Sequence, residues 1–213
     1  IKTVRFIDWY PATNFISGSL QNGVLSLNWN HPQSVIKTII SESFEMPGNL
    51  TEWTLNDFDG DFENWEIHTA TPAYHGSQSM ASYSWFNGNA LTPNNWAINK
   101  NQPLTAGENA SISWFVSSIS ANYPNEHYQL RLCNASTTDT SLYDVIFEET
   151  LSNNNLSWQH RSVDLSQFIG DSINLAFAHN NSTNQFALKI DSVTMHTYNS
   201  IASYKIFAAQ SSN

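Results

Sequence analysis

Cysteine is nearly absent. Cys133 stands alone in 213 residues, so no disulfide can form within the chain. Basic residues are scarce too: 8 Lys and Arg face 18 Asp and Glu, for a net charge of −10. Phosphate backbones need a Lys/Arg surface, so this balance excludes nucleic acid as a partner. It suits a soluble protein that meets cations. No apolar run approaches the roughly 18 residues of a membrane-spanning helix, so none is expected. Long runs of helical period are missing as well. The seven His form no His-x-His or His-Glu-x-x-His motif, and there is no Gly-x-Ser-x-Gly turn. Zinc and serine-hydrolase chemistry therefore lack support. Glu148 and Glu149 are neighbours on a strand and point to opposite faces, a poor pair for glycoside hydrolysis. Catalysis is not expected. The chain opens at Ile1 without a leader sequence and reads as a mature fragment.

What is present argues for a packed β protein. Hydrophobic residues are 40% and aromatics 13%, enough for a core. Asn and Ser make up about a quarter of the chain and favour turns over helix interiors. Apolar positions alternate: Ile112, Trp114 and Val116; Tyr128, Leu130 and Leu132; Ile173, Leu175 and Phe177; Phe186, Leu188 and Ile190. Each set predicts a strand with one buried and one polar face. Turn clusters such as Asn87-Gly88-Asn89 and 179–184 separate them. One short helical turn, closed by Gly170, is expected over 164–170. The class is all-β, an antiparallel sandwich of ten or more strands.

Asp57-Phe58-Asp59-Gly60-Asp61 carries the clearest chemistry. Three carboxylates at alternate positions around a glycine turn can converge on one hard cation, and calcium takes six to eight such oxygens. The run is not an EF-hand, because Phe62 and His68 stand where that loop needs Gly and Glu. A second pair is distant in sequence. Ser41 to Glu45 reads as a first strand and Lys189 to Val193 as a last one. The apolar alternation slips at Asp191-Ser192, which predicts a β-bulge that re-aims Asp191. Glu45 and Asp191 then become a candidate clamp for a cation between those strands. Among the aromatics, Trp65, Trp96 and Trp114 are assigned to the core. Tyr83, Trp85, Phe86 and Tyr123 flank loop-like text and are candidates for stacking on a sugar or anchoring a protein. Cys133 sits mid-strand and reads as a quiet structural residue.

Several ordered blocks resemble one known family. Ser41-Glu42-Ser43-Phe44-Glu45, Trp53, the Asp57 to Asp61 run and Asn64-Trp65 are similar to the opening of the cleaved adhesin domains of gingipains and haemagglutinin A. Leu91-Thr92-Pro93-Asn94-Asn95-Trp96, Tyr123-Pro124-Asn125-Glu126-His127-Tyr128, Ala176-Phe177-Ala178-His179 and Ile190-Asp191-Ser192-Val193-Thr194 continue the order. The resemblance covers roughly residues 38 to 197. It implies a jelly-roll sandwich that binds structural calcium, at Glu45 and Asp191 and at Asp57, Asp59 and Asp61. It also implies a non-catalytic adhesin module, secreted or displayed on a bacterial surface within a larger parent protein. The expected partner is a host or matrix protein or a glycan; family members bind haemoglobin, red cells and matrix proteins. Lys189 and Ser192 depart from the acidic residues the family often has there. Two other readings stand beside it: a carbohydrate-binding accessory module of a larger secreted enzyme, and a ligand-free spacer. The ends resemble a fibronectin type III domain, with two strands before Pro32 and a third at 203–207. The expected organisation is therefore 1–36 and 199–213 as partial fibronectin-like strands around a jelly roll at 37–198.

Overall fold

The computed structural model describes residues 15–21, 24–29, 36–45, 50–104, 109–133, 139–152 and 156–199. The chain divides into two compact units, Ile1–Val35 with Asn199–Asn213, and Ile36–Tyr198. In the first, β1 (Phe15–Gln21) and β2 (Val24–Trp29) pair as an antiparallel hairpin. The strand expected at 203–208, and Tyr204 with it, lies outside the described residues.

The second unit is an all-β sandwich. Its first sheet holds β3 (Ile36–Glu42), β5 (Glu66–His68), β6 (Ser79–Tyr83), β10 (Asn109–Ser118), β13 (Gln159–Asp164) and β15 (Ala187–Tyr198). The order is β13-β10-β15-β6-β5, with β3 also paired to β15. The second sheet holds β4 (Trp53–Asp57), β9 (Asn95–Pro103), β11 (His127–Cys133), β12 (Asp144–Thr150) and β14 (Ser172–His179), in the order β12-β11-β14-β9-β4. A small hairpin, β7 (Trp85–Phe86) and β8 (Asn89–Ala90), turns through Asn87 and Gly88. Both turn residues have positive φ, 48° and 87°, as a two-residue hairpin loop requires. The expected helical turn is a single 3-10 turn, Ser166–Phe168, followed by Gly170 at φ 103°.

The alternating apolar residues meet between the sheets. Trp114 from β10 lies edge-on to Phe177 of β14, with ring centres 5.5 Å apart. Its indole N–H donates to the Tyr128 hydroxyl at 3.0 Å, which donates to Glu149 at 2.6 Å. A buried Trp and Tyr thus keep their polar atoms satisfied. Trp65, Trp96 and Trp114 are all buried.

Two expectations need correction. The central strands do not have one polar face: β14 is buried along its length after Ser172, and β15 is buried from Ala187 to Asp191. Neighbouring strand side chains and segments outside the sheets cover them. On the second sheet Cys133, Ala176 and Ala178 pack with Trp96, Ile98 and Tyr143. On the first, the segment between β5 and β6 lies over the start of β15. The other correction concerns the first strand, which ends at Glu42 instead of reaching Glu45. Phe44 takes φ 60°, its N–H donates to the Glu42 carboxylate at 2.6 Å, and its ring turns into the core against Trp53. Burying that ring outweighs continuing the strand, and it frees Glu45 to leave the sheet.

The bulge falls where the alternation slips. Between the pairs Ser113↔Thr194 and Phe115↔Asp191, β15 has one residue more than β10. Ser192 carries it at φ 49°. Ala187 to Ile190 pair with β6 and Val193 to Tyr198 pair with β3, so Asp191 stands at the changeover.

Candidate functional site

The strand β4 runs directly into the acidic loop. Asp57 folds that loop on itself, accepting from the Gly60 N–H at 2.7 Å and the Phe62 N–H at 3.0 Å. Gly60 has φ 73°, which glycine adopts without strain. Asp59 accepts from the Asn94 N–H at 2.8 Å, and Asp61 from the Glu63 N–H at 2.9 Å. One oxygen from each of Asp57, Asp59 and Asp61 lies within 4.8 Å of the others, and no other group of three or more potential ligands forms among the described residues. None of the three takes part in an ion pair with a base among the described residues. Burial first, then the charges of Asp61 and Asp57, push the Asp59 carboxyl above its ordinary value, against the Asn94 amide. A divalent cation reverses that penalty, and carboxylate oxygens are the donors calcium takes. The residues present fit such an ion.

Glu45 and Asp191 are arranged differently. Both turn to the covering segment between β5 and β6. Asp191 Oδ2 accepts from the Tyr74 and His75 N–H groups at 2.8 and 3.0 Å, and its other oxygen accepts from Ser192. Glu45 Oε1 accepts from the Ser77 and Gln78 N–H groups at 2.9 and 2.8 Å. Gly76, at φ 69°, leaves the room: a Cβ there would sit on the Glu45 carboxylate. Lys189 makes a third tie, donating to the Thr71 hydroxyl at 2.9 Å and the Pro72 carbonyl at 3.0 Å beneath the Trp158 ring. It is 4% exposed. Burial brings its ammonium down to about 8, with Asp191 opposing. Burial raises the Asp191 carboxyl, against the amides it accepts from. The Glu45 carboxyl is lowered by the Gln78 and Ser77 amides. Three charged side chains thus fasten one strap. Glu45 and Asp191 thus give most of their lone pairs to the strap, and among the described residues Glu45 Oε2 accepts only from the Ser77 hydroxyl, at 3.1 Å.

The four aromatic candidates come together at one end of the sandwich. Tyr83, Trp85 and Phe86 line a cavity of about 710 Å³. Trp85 and Tyr123 line an adjoining cavity of about 340 Å³. Phe186, which alternation had placed simply as a strand residue, lines both and stacks on Trp85 at 5.4 Å. Tyr123 is 54% exposed.

A buried polar network lies behind this groove. His179 Nε2 meets Glu126 at 3.0 Å and its Nδ1 meets Ser82 at 2.8 Å. The residue types are those of a serine-nucleophile triad, yet Ser82, Glu126 and His179 have no solvent exposure. The other Glu126 oxygen accepts from the Phe186 N–H at 2.9 Å and the Ser84 hydroxyl at 2.8 Å. The network therefore positions backbone. The sequence reading missed it because its members come from four separate segments.

The family model described as Cleaved Adhesin Domain matches residues 37–195. Hemagglutinin A of Porphyromonas gingivalis is 31% identical over 211 residues, covering 88% of this chain and 8% of that protein. The K2 cleaved adhesin domain of Lys-gingipain superposes with a TM-score of 0.62 at 26% identity, over 73% of this chain and 96% of that one. A xylan-binding CBM22-1 domain from Paenibacillus barcinonensis superposes at 0.51 and 17% identity, over 77% of this chain and 96% of that one, a likeness of fold alone. The chain spans about a tenth of the length of the curated relatives it matches.

Proposed function

The chain belongs to the cleaved adhesin domain family, and from that premise we propose that its sandwich is a non-catalytic, calcium-stabilised adhesive module. It works outside a bacterial cell, secreted or surface-displayed, as one part of a longer parent protein. Its ligand is a host or matrix protein or a glycan. The β1–β2 hairpin and the residues after 198 belong to one fibronectin type III-like domain whose sequence the jelly roll interrupts.

The observation that carries the calcium is the convergence of Asp57, Asp59 and Asp61. Bound calcium supplies the positive charge that three neighbouring carboxylates lack. The chain's own residues do the rest. Asp57 wraps the loop and Asp59 ties it to Asn94, the residue before β9. Binding to the native state alone stabilises it by mass action. The non-catalytic reading is supported by the burial of Ser82, His179 and Glu126, which keeps that hydroxyl from any substrate.

Beads coated with the full chain, mixed with erythrocytes or with immobilised fibrinogen, test the proposal. Adherence in calcium that is lost in EDTA and in Asp59→Ala is the expected result. Adherence indifferent to EDTA removes calcium from the account, and no adherence to either surface leaves the spacer reading. A second reading, a carbohydrate-binding module of a larger secreted enzyme, is favoured by the aromatic groove.

A further inference from the structure

We infer that the groove formed by Trp85, Phe86, Phe186, Tyr83 and Tyr123 is a binding site for an uncharged sugar, with a pyranose ring stacked on the Trp85–Phe186 wall. The inference rests on the adhesive reading and names the ligand class that the module would take.

The walls are held by backbone hydrogen bonds. Trp85 and Phe86 lie on the β7–β8 hairpin, fixed by its two-residue turn. The Ser84 and Trp85 N–H groups both donate to the Phe186 carbonyl, at 3.0 and 3.2 Å. The Phe186 N–H is held in turn by the buried Glu126. Burying a carboxylate costs stability unless it is fully hydrogen-bonded. Here it is, and what it fixes is the angle at which Phe186 meets Trp85. Rings held ready before binding lose little entropy when a ligand arrives.

The floor is closed to charge. Lys189 donates to Thr71, whose hydroxyl lies 2.9 Å from His68 Nε2; His68 Nδ1 lies 3.2 Å from the Tyr83 hydroxyl. Burial, and then the nearby Glu66 carboxylate, raise that hydroxyl above its ordinary value. With Thr71 accepting from Lys189 and His68 neutral, the consistent direction is Lys189 to Thr71, Thr71 to His68, His68 to Tyr83. His68 is then the neutral Nδ1–H tautomer, in line with burial and Lys189 pushing its imidazole below its ordinary value. The floor's polar atoms are occupied, so it offers a ring face and no free acid or base. The remaining polar lining groups are neutral hydroxyls and amides, those of Asn87, Ser120, Asn184 and Gln185.

That combination selects the occupant. No Lys, Arg, Asp or Glu lines either cavity, so an anion and a cation both lack a counter-charge. Aromatic faces with neutral hydrogen-bonding groups at the rim match a sugar, whose C–H face is apolar and whose edge is hydroxylated. About 710 Å³ lies within the range of small-ligand sites, about 300–1,000 Å³.

The test uses the full chain in calcium with xylotriose, cellotriose and β-1,4-galactotriose. Saturation-transfer NMR gives the contact and calorimetry the affinity. At least one sugar is expected to bind with transfer strongest at ring C–H protons, and Trp85→Ala should weaken it about tenfold or more. Phe86→Ala, with its melt checked, provides a second variant. No transfer from any of the sugars, or binding that both variants leave intact, overturns the inference. The bead assay separates the two levels. Wild-type and Trp85→Ala beads that adhere equally, uninhibited by the sugars, sink the groove and spare the adhesive reading. Sugar binding without adherence does the opposite.

Discussion

Two sets of carboxylates in this sandwich meet the same problem with opposite answers. Asp57, Asp59 and Asp61 face one another across an exposed turn. Glu45 and Asp191 face the backbone amides of a strap. In the first set three carboxylates crowd together although four backbone N–H groups reach them, and a cation is the partner we propose for them. In the second, four strap amides supply the compensation and a buried lysine lies two residues from Asp191. Carboxylates that look alike in a sequence thus differ in their surroundings: amides donate to both sets, but only in the first do other carboxylates crowd in.

The largest test removes the strap's anchor. Asp191→Ala leaves two amides over a buried surface without their acceptor, at a cost of about 3 kcal/mol. The melting temperature should fall by roughly 6–12 °C. The fall should be similar in calcium and in EDTA. A fall confined to calcium would mean that Asp191 is chiefly a metal ligand.

Lys189 sharpens the contrast through pH. Its folded ammonium titrates near 8 and an unfolded one near 10.5, so the native state binds fewer protons in that window. Stability rises with pH wherever the unfolded state binds more protons. Wild type should gain on Lys189→Met between those pH values, by up to about 3 kcal/mol. Denaturant melts of both proteins at several pH values measure this; a constant difference would show that Lys189 titrates normally.

Gly76→Ala puts a methyl where the Glu45 carboxylate lies and places alanine at positive φ. About 2 kcal/mol should be lost. In a Glu45→Ala background the clash is gone and only the positive-φ strain, about 1 kcal/mol, should remain, a non-additivity that a double-mutant cycle reads directly. Additive losses would show that the two residues do not press on each other.

The smallest effect belongs to the acidic loop's own backbone. Phe62 has φ 71° and is 95% exposed, so its ring contributes no packing. Asparagine tolerates that conformation better. Phe62→Asn should be neutral or stabilising by about 0.5 kcal/mol in chemical denaturation.

The fold was legible because alternation is a local signal. Ile112, Trp114 and Val116 declare their face within six residues, and Asp191-Ser192 betray the bulge by breaking the pattern. The acidic run was legible for the same reason. The strap was not, since nothing in Thr71 to Gln78 says that it will lie on β15. Its ties run from Lys189, Asp191 and Glu45, up to 118 positions away in sequence. Phe44 shows the converse: its string reads as a strand, but burial of one ring against Trp53 overrides it. The groove was half legible. Tyr83, Trp85, Phe86 and Tyr123 stood out as loop aromatics, whereas Phe186 fell into an alternating run, Glu126 stood only inside a family-like block, and nothing gave it or His68 a role.

The most direct test of the division between the two carboxylate sets is a thermal melt of wild type, Asp59→Ala and Asp191→Ala, each in EDTA and in saturating calcium. At a hundredfold excess over Kd, calcium adds about 2.7 kcal/mol, or roughly 5–10 °C. That rise should appear in wild type and in Asp191→Ala and vanish in Asp59→Ala. A rise that survives in Asp59→Ala and disappears in Asp191→Ala would place the cation at the strap and contradict the account.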